Sequence, residues 1–419
     1  MRTVILFAIA FSILTGIVYS QTAWEILNSG VTADLRAVCF TDINTGYVCG
    51  TNGTILKTTN AGLNWNPLNA SVSGTLNDIC FADVTTGFCG GNMGILKTTN
   101  SGQNWSSIST TPANKIACRE GILYSATMNS VDKSTNSGAN WTNVMAPGVA
   151  VHGIYFVNGN TGYANGYNGL HRKTTNGGLN WQQGGAWFPG TYTFSECFFP
   201  VSGPGVVACS YNSGWPNYFT NNVIYKADFV GGSWSSAYSN SNNGLNGISF
   251  GSNDTGFCVG GNYSGQSLIL KSIDAGNSWT QLIITITQVL LLDAYFINST
   301  TGYITGVNGT IIKTSTGGIT GVQSVNGSTP ITFSLSQNYP NPFNPTTKIR
   351  FEISGSSAAQ TFLSVYDILG REVATLVNEE LKPGIYEADW KASDFPSGVY
   401  FYKFETEYFT ETKRMILLK

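Results

Sequence analysis

A repeated phrase of about 40 residues is the feature that most constrains this fold. It recurs seven times between Asp34 and Gly318, and its clearest copy contains Thr45-Gly46-Tyr47, Ile55-Leu56-Lys57-Thr58-Thr59-Asn60 and Trp65. Short apolar runs separated by Gly and Asn turns predict strands, and a fixed period of this length predicts a closed ring of small sheets. We therefore expect an all-β chain in which the repeats form a seven-bladed β-propeller.

Each repeat has the pattern of four strands. The first strand is apolar on both faces, as in Val38-Cys39-Phe40, which is typical of a strand packed between two sheets. The last repeat stops at Gly318 without the Trp-bearing fourth strand, whereas an orphan strand, Trp24-Glu25-Ile26-Leu27, precedes the first repeat. We expect this N-terminal strand to complete the last blade, because pairing the two ends removes both open edges.

The turn between the third and fourth strands carries a recognisable motif, which reads Ser272-x-Asp274-x-Gly276-x-x-Trp279 in the sixth repeat. It resembles the Asp-box, or BNR repeat, of sialidases and related propellers. Asn or Asp bonds its own backbone there, Gly permits a positive φ and Trp fills the gap between blades. The motif therefore indicates a folding device. With the Thr-Gly-Tyr strand it also resembles the propeller family typified by the photosystem II stability and assembly factor, from which we carry over no partner.

The composition changes after a Gly/Ser/Asn/Thr stretch, and alternating apolar runs predict a small immunoglobulin-like β-sandwich at the C-terminus. Its motifs strongly resemble the type A sorting domain of the type IX secretion system in Bacteroidetes-like bacteria. The residues that carry the sorting signal are Tyr339, Pro340, Asn341, Pro342, Phe343, Gly398, Tyr400 and Lys413. The resemblance implies recognition by the outer-membrane translocon, removal by a surface peptidase, and a secreted or outer-surface location reached through the periplasm.

The N-terminus reads as an export signal, because Arg2 precedes the apolar stretch Val4–Leu14 and the small Ser20 precedes Gln21. The predicted organisation is a signal peptide in residues 1–20, the propeller in 21–320, a linker in 321–332 and the sorting domain in 333–419. No transmembrane segment is expected in the mature chain.

Composition excludes several functions. Charged residues make up only 11% of the chain, with 21 Lys and Arg and a net charge of −2, so no basic field favours nucleic acid as a partner. His152 and His171 are the two histidines, and neither has the spacing of a zinc ligand set. We expect no metal and no cofactor.

The 8 cysteines of an exported chain could form disulfides, but several occupy equivalent positions in successive repeats. Equivalent strands should lie about 10 Å apart, beyond the reach of a disulfide, so most are expected to be small buried thiols. Cys49 and Cys89 are offset by one residue within their strands and are the pair that could face each other.

The evidence for catalysis in the sequence is weak. A glycosidase needs two carboxylates flanking one bond, and a sialidase adds an arginine cluster. Arg36, Arg119 and Arg172 fall at different points of their repeats and are not expected to converge. Asp78, Glu196 and Asp293 share one position beside the first strand and form the best candidate acid cluster.

Two repeated positions are candidate ligand-binding rings. One ring, at the entrance of the first strands, comprises Arg36, Asn77, Asn114, His152, Ser195, Asn246 and Leu292; it could bind a ligand or be a solvated strand entrance. The other comprises Lys57, Lys97, Lys133, Lys173, Lys226, Lys271 and Lys313. These lysines could attract an acidic glycan, or their stems could cover an exposed blade edge.

An insertion in the fifth repeat places Trp215 and Tyr218 among Asn and Gly, which suits stacking on a sugar or a protein partner. The sequence thus favours a secreted or cell-surface binding or scaffold module with an unknown glycan or protein ligand. An extracellular glycoside hydrolase, sialidase-like or polysaccharide-degrading, and an assembly factor for surface complexes stay open as alternatives.

Overall fold

The computed structural model describes residues 24–183, 192–198, 205–211, 222–227, 234–240, 243–262, 264–282, 288–318, 322–326, 330–355, 359–381, 383–393 and 395–419. The predicted signal peptide and the loop with Trp215 and Tyr218 lie outside these ranges. Contacts divide the chain into two compact units, Trp24–Gly318 and a second unit to which the C-terminal residues belong.

The described part of the first unit forms seven four-stranded antiparallel sheets. Strand β1 (Glu25–Leu27) is followed by four sheets, each made of four consecutive strands. They are β2 (Leu35–Phe40), β3 (Gly46–Gly50), β4 (Ile55–Thr58) and β5 (Asn66–Leu68); β6 (Leu76–Phe81), β7 (Gly87–Gly91), β8 (Gly94–Thr98) and β9 (Ser106–Ser109); β10 (Lys115–Arg119), β11 (Ile122–Ala126), β12 (Val131–Ser134) and β13 (Thr142–Met145); and β14 (Val151–Phe156), β15 (Gly162–Gly166), β16 (His171–Thr174) and β17 (Gln182–Gln183).

Three further sheets complete this unit. The fifth and sixth are β18 (Tyr192–Phe198), β19 (Val206–Tyr211), β20 (Asn222–Ala227) and β21 (Trp234–Asn240), and β22 (Gly244–Phe250), β23 (Gly256–Gly261), β24 (Ser267–Ser272) and β25 (Thr280–Leu282). The seventh contains β26 (Leu291–Phe296), β27 (Gly302–Gly306) and β28 (Ile311–Thr314), with β1 as its fourth strand. Two short 3-10 turns, Thr51–Gly53 and Tyr167–Gly169, connect strands in the first and fourth sheets.

The first strands of the seven sheets contact one another in a cycle. Each of β2, β6, β10, β14, β18 and β22 contacts the first strand of the following sheet, and β26 contacts β2. Strand β1 completes the seventh sheet. It pairs antiparallel with β28 through Glu25↔Lys313, Ile26↔Ile312 and Leu27↔Ile311. An N-terminal segment therefore supplies the edge strand of the last sheet, which leaves β28 paired on both sides.

An aromatic stack joins neighbouring sheets at the end of the first strands. Phe40 stacks on Tyr303 of the preceding sheet at 4.1 Å between centroids, and Trp65 of its own sheet packs edge-on against it at 6.2 Å. The same arrangement recurs as Phe81 with Tyr47 and Trp105, Phe156 with Tyr124 and Trp181, and Phe296 with Phe257 and Trp24. The repeated aromatic positions thus bury the interfaces between sheets.

The Asp-box turns are organised by their own side chains. Asn60 Oδ1 accepts the amide proton of Asn64, and Thr58 Oγ1 accepts that of Gly62. Ala61 and Gly62 have φ values of 55° and 85°, so the turn needs two left-handed residues, a conformation that glycine adopts without strain. Asp274 in the sixth sheet bonds its turn in the same way.

Five cysteines of the described residues are free thiols, four of them buried, but one disulfide was not expected. Cys80 and Cys118 form a disulfide between the second and third sheets, with their Cα atoms 6.2 Å apart. The sheets converge where their first strands meet, so the spacing there is shorter than the face-to-face distance between packed sheets. Cys49 and Cys89 are both free and buried, and burial together with the neighbouring Cys49 thiol raises the pKa of Cys89.

The described part of the second unit contains two four-stranded sheets. One has the order β29 (Val322–Asn326), β34 (Gly384–Lys391), β31 (Thr346–Ile353) and β30 (Ser334–Leu335); the other has the order β33 (Glu372–Leu381), β32 (Ala359–Tyr366), β35 (Gly398–Thr406) and β36 (Thr410–Leu417). Alternate residues of these strands are buried in one shared core, in which the ring centroids of Phe351 and Phe404 are 5.0 Å apart.

Candidate functional site

The first strands of all seven sheets line a central cavity of about 400 Å³. Side chains of a strand alternate between its faces, so the cavity is built in levels from residues two positions apart. In the third sheet these residues are Lys115, Ala117 and Arg119, and in the second they include Asp78 and Cys80. The levels differ sharply in chemistry.

The first level is a buried ion cluster, which we define as Lys115, Asp78, Glu196 and Asp293. Lys115 Nζ lies 2.6 Å from Glu196 Oε1 and 3.5 Å from Asp78 Oδ1. Asp78 and Asp293 are only 5% and 7% exposed. Sequence reasoning found the three acids but missed Lys115, although it precedes Ile116 as Asp78 precedes Ile79; comparing that position across all repeats could have found it.

Burial sets the protonation of this cluster. It raises the pKa of Asp78, against the opposing effect of Lys115, and raises the pKa of Asp293 to about 7. Burial alone would lower the pKa of Lys115, but the carboxylates of Asp78, Glu196 and Asp293 hold it well above its ordinary value. The cluster therefore contains the Lys115 cation and three acids, and one of these acids, Asp293, gains a proton near neutral pH.

Each acid of the cluster is also bonded to the following sheet. Asp78 Oδ2 accepts the amide proton of Ile116 at 2.8 Å, and Glu196 Oε2 accepts that of Ile248 at 3.0 Å. Asp293 Oδ2 accepts the amide proton of Val38 at 2.9 Å, between the seventh and first sheets. The carboxylates thus tie first strands together, and these bonds compete with any role as an acid–base pair.

The second level, which we call the collar, is a set of half-buried side chains, one from each first strand. Its members are Cys39, Cys80, Ala117, Tyr155, Phe198, Ser249 and Tyr295. Small and sulfur-bearing side chains from the first three sheets form one half, and aromatic rings lie in the other half. The rings of Tyr155 and Phe198 are 5.3 Å apart. Arg119 lies beyond the collar and donates from Nη2 to the Val157 carbonyl at 3.1 Å.

The entrance ring predicted from sequence coincides with a repeated β-bulge. In six sheets the register between the first two strands skips one residue, and the skipped residues are Arg36, Asn77, His152, Ser195, Asn246 and Leu292. A bulge changes the direction of the side chain of its extra residue. The six residues therefore occupy one equivalent position, at the bulge of each first strand.

Several polar atoms of this ring bridge adjacent sheets. Asn77 Nδ2 donates to the Ala113 carbonyl at 3.0 Å, and Asn246 Nδ2 donates to the Leu291 carbonyl at 2.7 Å. Arg36 Nη1 donates to Asn77 Oδ1 at 3.5 Å. His152 is half-buried, and burial lowers its pKa. The ring stays a predicted binding site, but its amides already hold sheets together.

Five of the seven lysines of the second predicted ring donate to backbone carbonyl groups of the following sheet. Lys57 Nζ donates to the Ser101 carbonyl at 2.9 Å and lies 5.2 Å from the centre of the Tyr47 ring. Lys97, Lys133, Lys271 and Lys313 likewise donate to carbonyl groups in the Asp-box turn of the following sheet. Each bond places a cation where the turn presents a backbone oxygen.

Most of the predicted sorting residues lie on or beside β36, the last strand of the second unit, whereas Tyr339 bridges to Lys348. Phe343 is buried against Trp390, with backbone bonds to Ile416 and Leu418. Asn341 Oδ1 accepts the amide proton of Ile416, Gly398 pairs with Leu417, and Tyr400 donates its hydroxyl proton to the Pro396 carbonyl. Lys413 pairs with Glu411 at 3.0 Å. Tyr339 is 81% exposed, and Pro340 and Pro342 are also exposed, so the segment begins at the surface and is held by the buried Phe343.

Two absences concern only the described ranges. Within them no helix has the length and apolar character needed to cross a membrane. The same residues contain no group of three or more His, Cys, Asp or Glu side chains that could hold a metal ion.

Comparison with solved structures shows an all-β, propeller-like fold. The structure described as "YCF48 bound to D1 peptide" is 20% identical, with a TM-score of 0.55 over 71% of this chain and 99% of that one. YCF48 from Cyanidioschyzon merolae is 15% identical, with a TM-score of 0.55 over 70% and 98%. The GH74 xyloglucanase from Xanthomonas campestris is 12% identical, with a TM-score of 0.56 over 86% and 63%. At these identities the likeness concerns the fold alone.

Comparison with sequence families confirms both resemblances seen in the motifs. No curated protein matches the chain. Residues 17–145 match the family described as Photosynthesis system II assembly factor YCF48, and residues 337–418 match the family described as Secretion system C-terminal sorting domain. The chain therefore joins repeats of the photosystem II assembly-factor type to a type IX sorting domain, which indicates export to the outer cell surface or secretion.

Proposed function

We propose that this protein is a binding or scaffold module, built as a closed seven-bladed β-propeller and exported by the type IX system through a C-terminal immunoglobulin-like sandwich. The cyclic contacts of the seven first strands and the pairing of β1 with β28 support a closed ring. The shared core of two four-stranded sheets supports a sandwich. The proposed boundaries are residues 1–20, 21–320, 321–332 and 333–419, for signal peptide, propeller, linker and sorting domain.

The observation that carries a binding role is the use of the acid cluster. Asp78, Glu196 and Asp293 each accept an amide proton from the next sheet, and two of them lie within 4 Å of Lys115. A glycosidase needs one carboxylic acid and one carboxylate free to face a substrate. These acids serve the ring instead, so we favour binding over hydrolysis.

The alternative of an assembly factor for surface complexes has one supporting observation. One similar structure, 20% identical, is of a YCF48 bound to a D1 peptide, and the central cavity of this chain is open to a ligand of modest size. A surface protein is therefore a candidate ligand alongside a glycan.

Export is tested by removing residues 333–419. We expect the truncated chain to accumulate in the periplasm, with the full chain found at the surface or in the medium, as judged by fractionation and immunoblotting. The control is Tyr408→Ser. The Tyr408 side chain is 73% exposed, so this substitution should leave export unchanged. Truncated protein outside the cell in normal amounts would contradict the proposal.

Binding is tested with the full chain immobilised on a sensor surface. Arrays of bacterial and plant glycans and solubilised outer-membrane proteins are passed over it, with the Asp78→Asn and Asp293→Asn variants in parallel. We expect a saturable ligand and no hydrolysed product. Turnover of a polysaccharide that disappears in either variant would replace the binding proposal with the hydrolase alternative.

A further inference from the structure

The central cavity has an unequal distribution of charge along its length. The ion cluster lies at one level, and Arg119 lies four residues further along β10, which is about 13 Å of extended strand. The residues that correspond to Arg119 in the other repeats are uncharged, for example Thr41 and Gly251. Arg119 is thus a single positive charge at the far rim, more than a Debye length from the acids.

The guanidinium of Arg119 has unused hydrogen-bonding capacity. It is exposed, and the Val157 carbonyl takes only one of its five N–H donors. It also lies close enough to Tyr155 to oppose the rise that burial causes in the pKa of that phenol. A planar guanidinium next to an aromatic wall is suited to bind a carboxylate in two hydrogen bonds.

The collar beneath Arg119 offers apolar surface and few free polar groups. Phe198 stacks on Phe250 at 4.7 Å between ring centroids, and the Tyr155 ring lies tilted against Phe198 at 5.3 Å. Two hydroxyls of the collar already bond adjacent strands: Ser249 Oγ accepts the amide proton of Phe296, and Tyr295 donates to the Phe40 carbonyl. A sugar would leave several hydroxyl groups without partners here, whereas an apolar or aromatic group would not.

We propose that the rim and collar of the central cavity bind a carboxylate attached to an apolar, preferably aromatic, body, with the carboxylate on Arg119 and the body against Tyr155 and Phe198. A cavity of about 400 Å³ falls within the usual range for small ligands, about 300–1,000 Å³. The same chemistry is presented by a free aromatic acid and by the C-terminal residue of a polypeptide. This inference rests on the proposed binding function and names the ligand class of one site.

The test uses the full chain and matched probes by isothermal titration calorimetry. The probes are 3-phenylpropionate and its amide, and the tripeptide Ala-Ala-Phe with a free or an amidated C-terminus. We expect the acids to bind with Kd of about 1 mM or tighter and the amides at least about tenfold more weakly, since a charged hydrogen-bonded pair is lost. If only 3-phenylpropionate binds, the ligand is a free aromatic acid. If the tripeptide acid binds as well, the ligand can also be the C-terminal residue of a polypeptide.

Variants locate the site. Arg119→Gln should weaken the binding of both acids by about tenfold or more, and Arg119→Lys should weaken it less. Ala117→Phe should fill the collar and abolish binding without a change of charge. The control is Arg172→Gln, because Arg172 lies outside the cavity and donates to the His171 carbonyl of its own sheet. Thermal unfolding of each variant verifies folding.

Three results would overturn the inference. They are no binding of either acid, equal binding of acid and amide, and wild-type affinity in both Arg119→Gln and Ala117→Phe. The two proposals remain separable, because a glycan or surface protein that binds the chain while neither acid does would support the general binding function and overturn this site.

Discussion

At the scale of single residues, Lys115 shows how one side chain decides the state of a buried site. It faces the carboxylates of Asp78 and Glu196 and stands at the position that other repeats fill with an acid or a small residue. Removing one partner of a buried charge pair is strongly destabilising, because the remaining charge has no compensation. Removing the Lys115 charge should therefore destabilise the protein more than removing any other charge of the ion cluster.

We predict that Lys115→Met lowers the free energy of unfolding of the propeller by about 3–5 kcal/mol. The variant keeps the length of the side chain and leaves the acids buried without a cation. Urea denaturation followed by tryptophan fluorescence measures the change. The control is Glu25→Gln: the Glu25 side chain is 54% exposed and lies 3.7 Å from Lys313 Nζ, so its loss should cost less than about 1 kcal/mol. Equal losses in the two variants would contradict the assigned role of Lys115.

The pH dependence of stability is predicted to trace to Asp293. Burial raises its pKa from 3.8 to about 7 in the folded state, so between these values the folded chain holds a proton that the unfolded chain has released. Stability from this group is complete below pH about 4 and is lost as the pH rises through about 7, by at most about 1.4 kcal/mol per pH unit. Asp78, whose pKa burial also raises, acts in the same direction.

The measurement is the urea midpoint between pH 4.5 and 8 for wild type and Asp293→Asn. The variant should have a flatter profile, since asparagine does not titrate but can still accept the amide proton of Val38. Asp42→Asn is the control, because backbone hydrogen bonding from Asn44 lowers the pKa of Asp42, and its titration lies below this range. An unchanged slope in Asp293→Asn would assign the dependence to another group.

At the scale of elements, the contacts between sheets follow a common pattern. Polar side chains reach from one sheet to a backbone group of the next at the strand entrance, in the central cavity and at the Asp-box turn, as Asn77, Asp78 and Lys97 do in the second sheet. Such bonds satisfy backbone groups at the places where sheets diverge or end. The repeat therefore encodes the interface between sheets as well as the sheet itself.

The disulfide between β6 and β10 adds a covalent link to one of these interfaces. We predict that Cys80→Ala with Cys118→Ala destabilises the chain by about 4 kcal/mol, the chain-entropy value for a link across 38 residues. Denaturation of the oxidised parent and the double variant measures the difference. The control is Cys49→Ala with Cys89→Ala, which keeps the disulfide and should lose as much stability in dithiothreitol as the parent does, whereas the variant without Cys80 and Cys118 should be insensitive to it. Equal unfolding of the parent with and without dithiothreitol would contradict the link.

The sequence predicted these elements better than it predicted their contacts. The period, the Gly and Asn turns and the apolar first strands are local signals, so all-β structure and the repeats could be read directly. Lys115 is a base at a position that the other repeats fill with an acid or a small residue, so no repeated residue type marks it. The Cys80–Cys118 link depends on how closely two first strands approach each other. The bulge at Asn77 and its equivalents depends on strand register, which no local pattern reports. Contacts between elements 38 or more residues apart need the fold itself.

At the scale of the whole molecule, the N-terminal strand connects the two ends of the repeat array. Trp24 is 2% exposed and packs edge-on against Phe296, while Glu25–Leu27 pair with β28. Without β1, the backbone of Ile311–Thr314 would be an unpaired edge, and an exposed edge strand is a template for pairing with another chain. Ring closure is thus expected to govern both stability and self-association.

We predict that deleting residues 24–27 destabilises the propeller and makes it self-associate. The loss of buried Trp24 alone should cost about 3–5 kcal/mol, the usual range for removing a buried tryptophan. Size-exclusion chromatography with light scattering, over a range of protein concentrations, measures the second effect. The control is Ile26→Thr: the Ile26 side chain is 58% exposed, and threonine is favourable in strands, so the strand is retained. A deletion variant with the parent's stability and mass distribution would show that β28 needs no partner and that the first strands hold the ring without β1. The deletion separates these possibilities because it removes the strand and its tryptophan while every contact among the seven first strands stays in place.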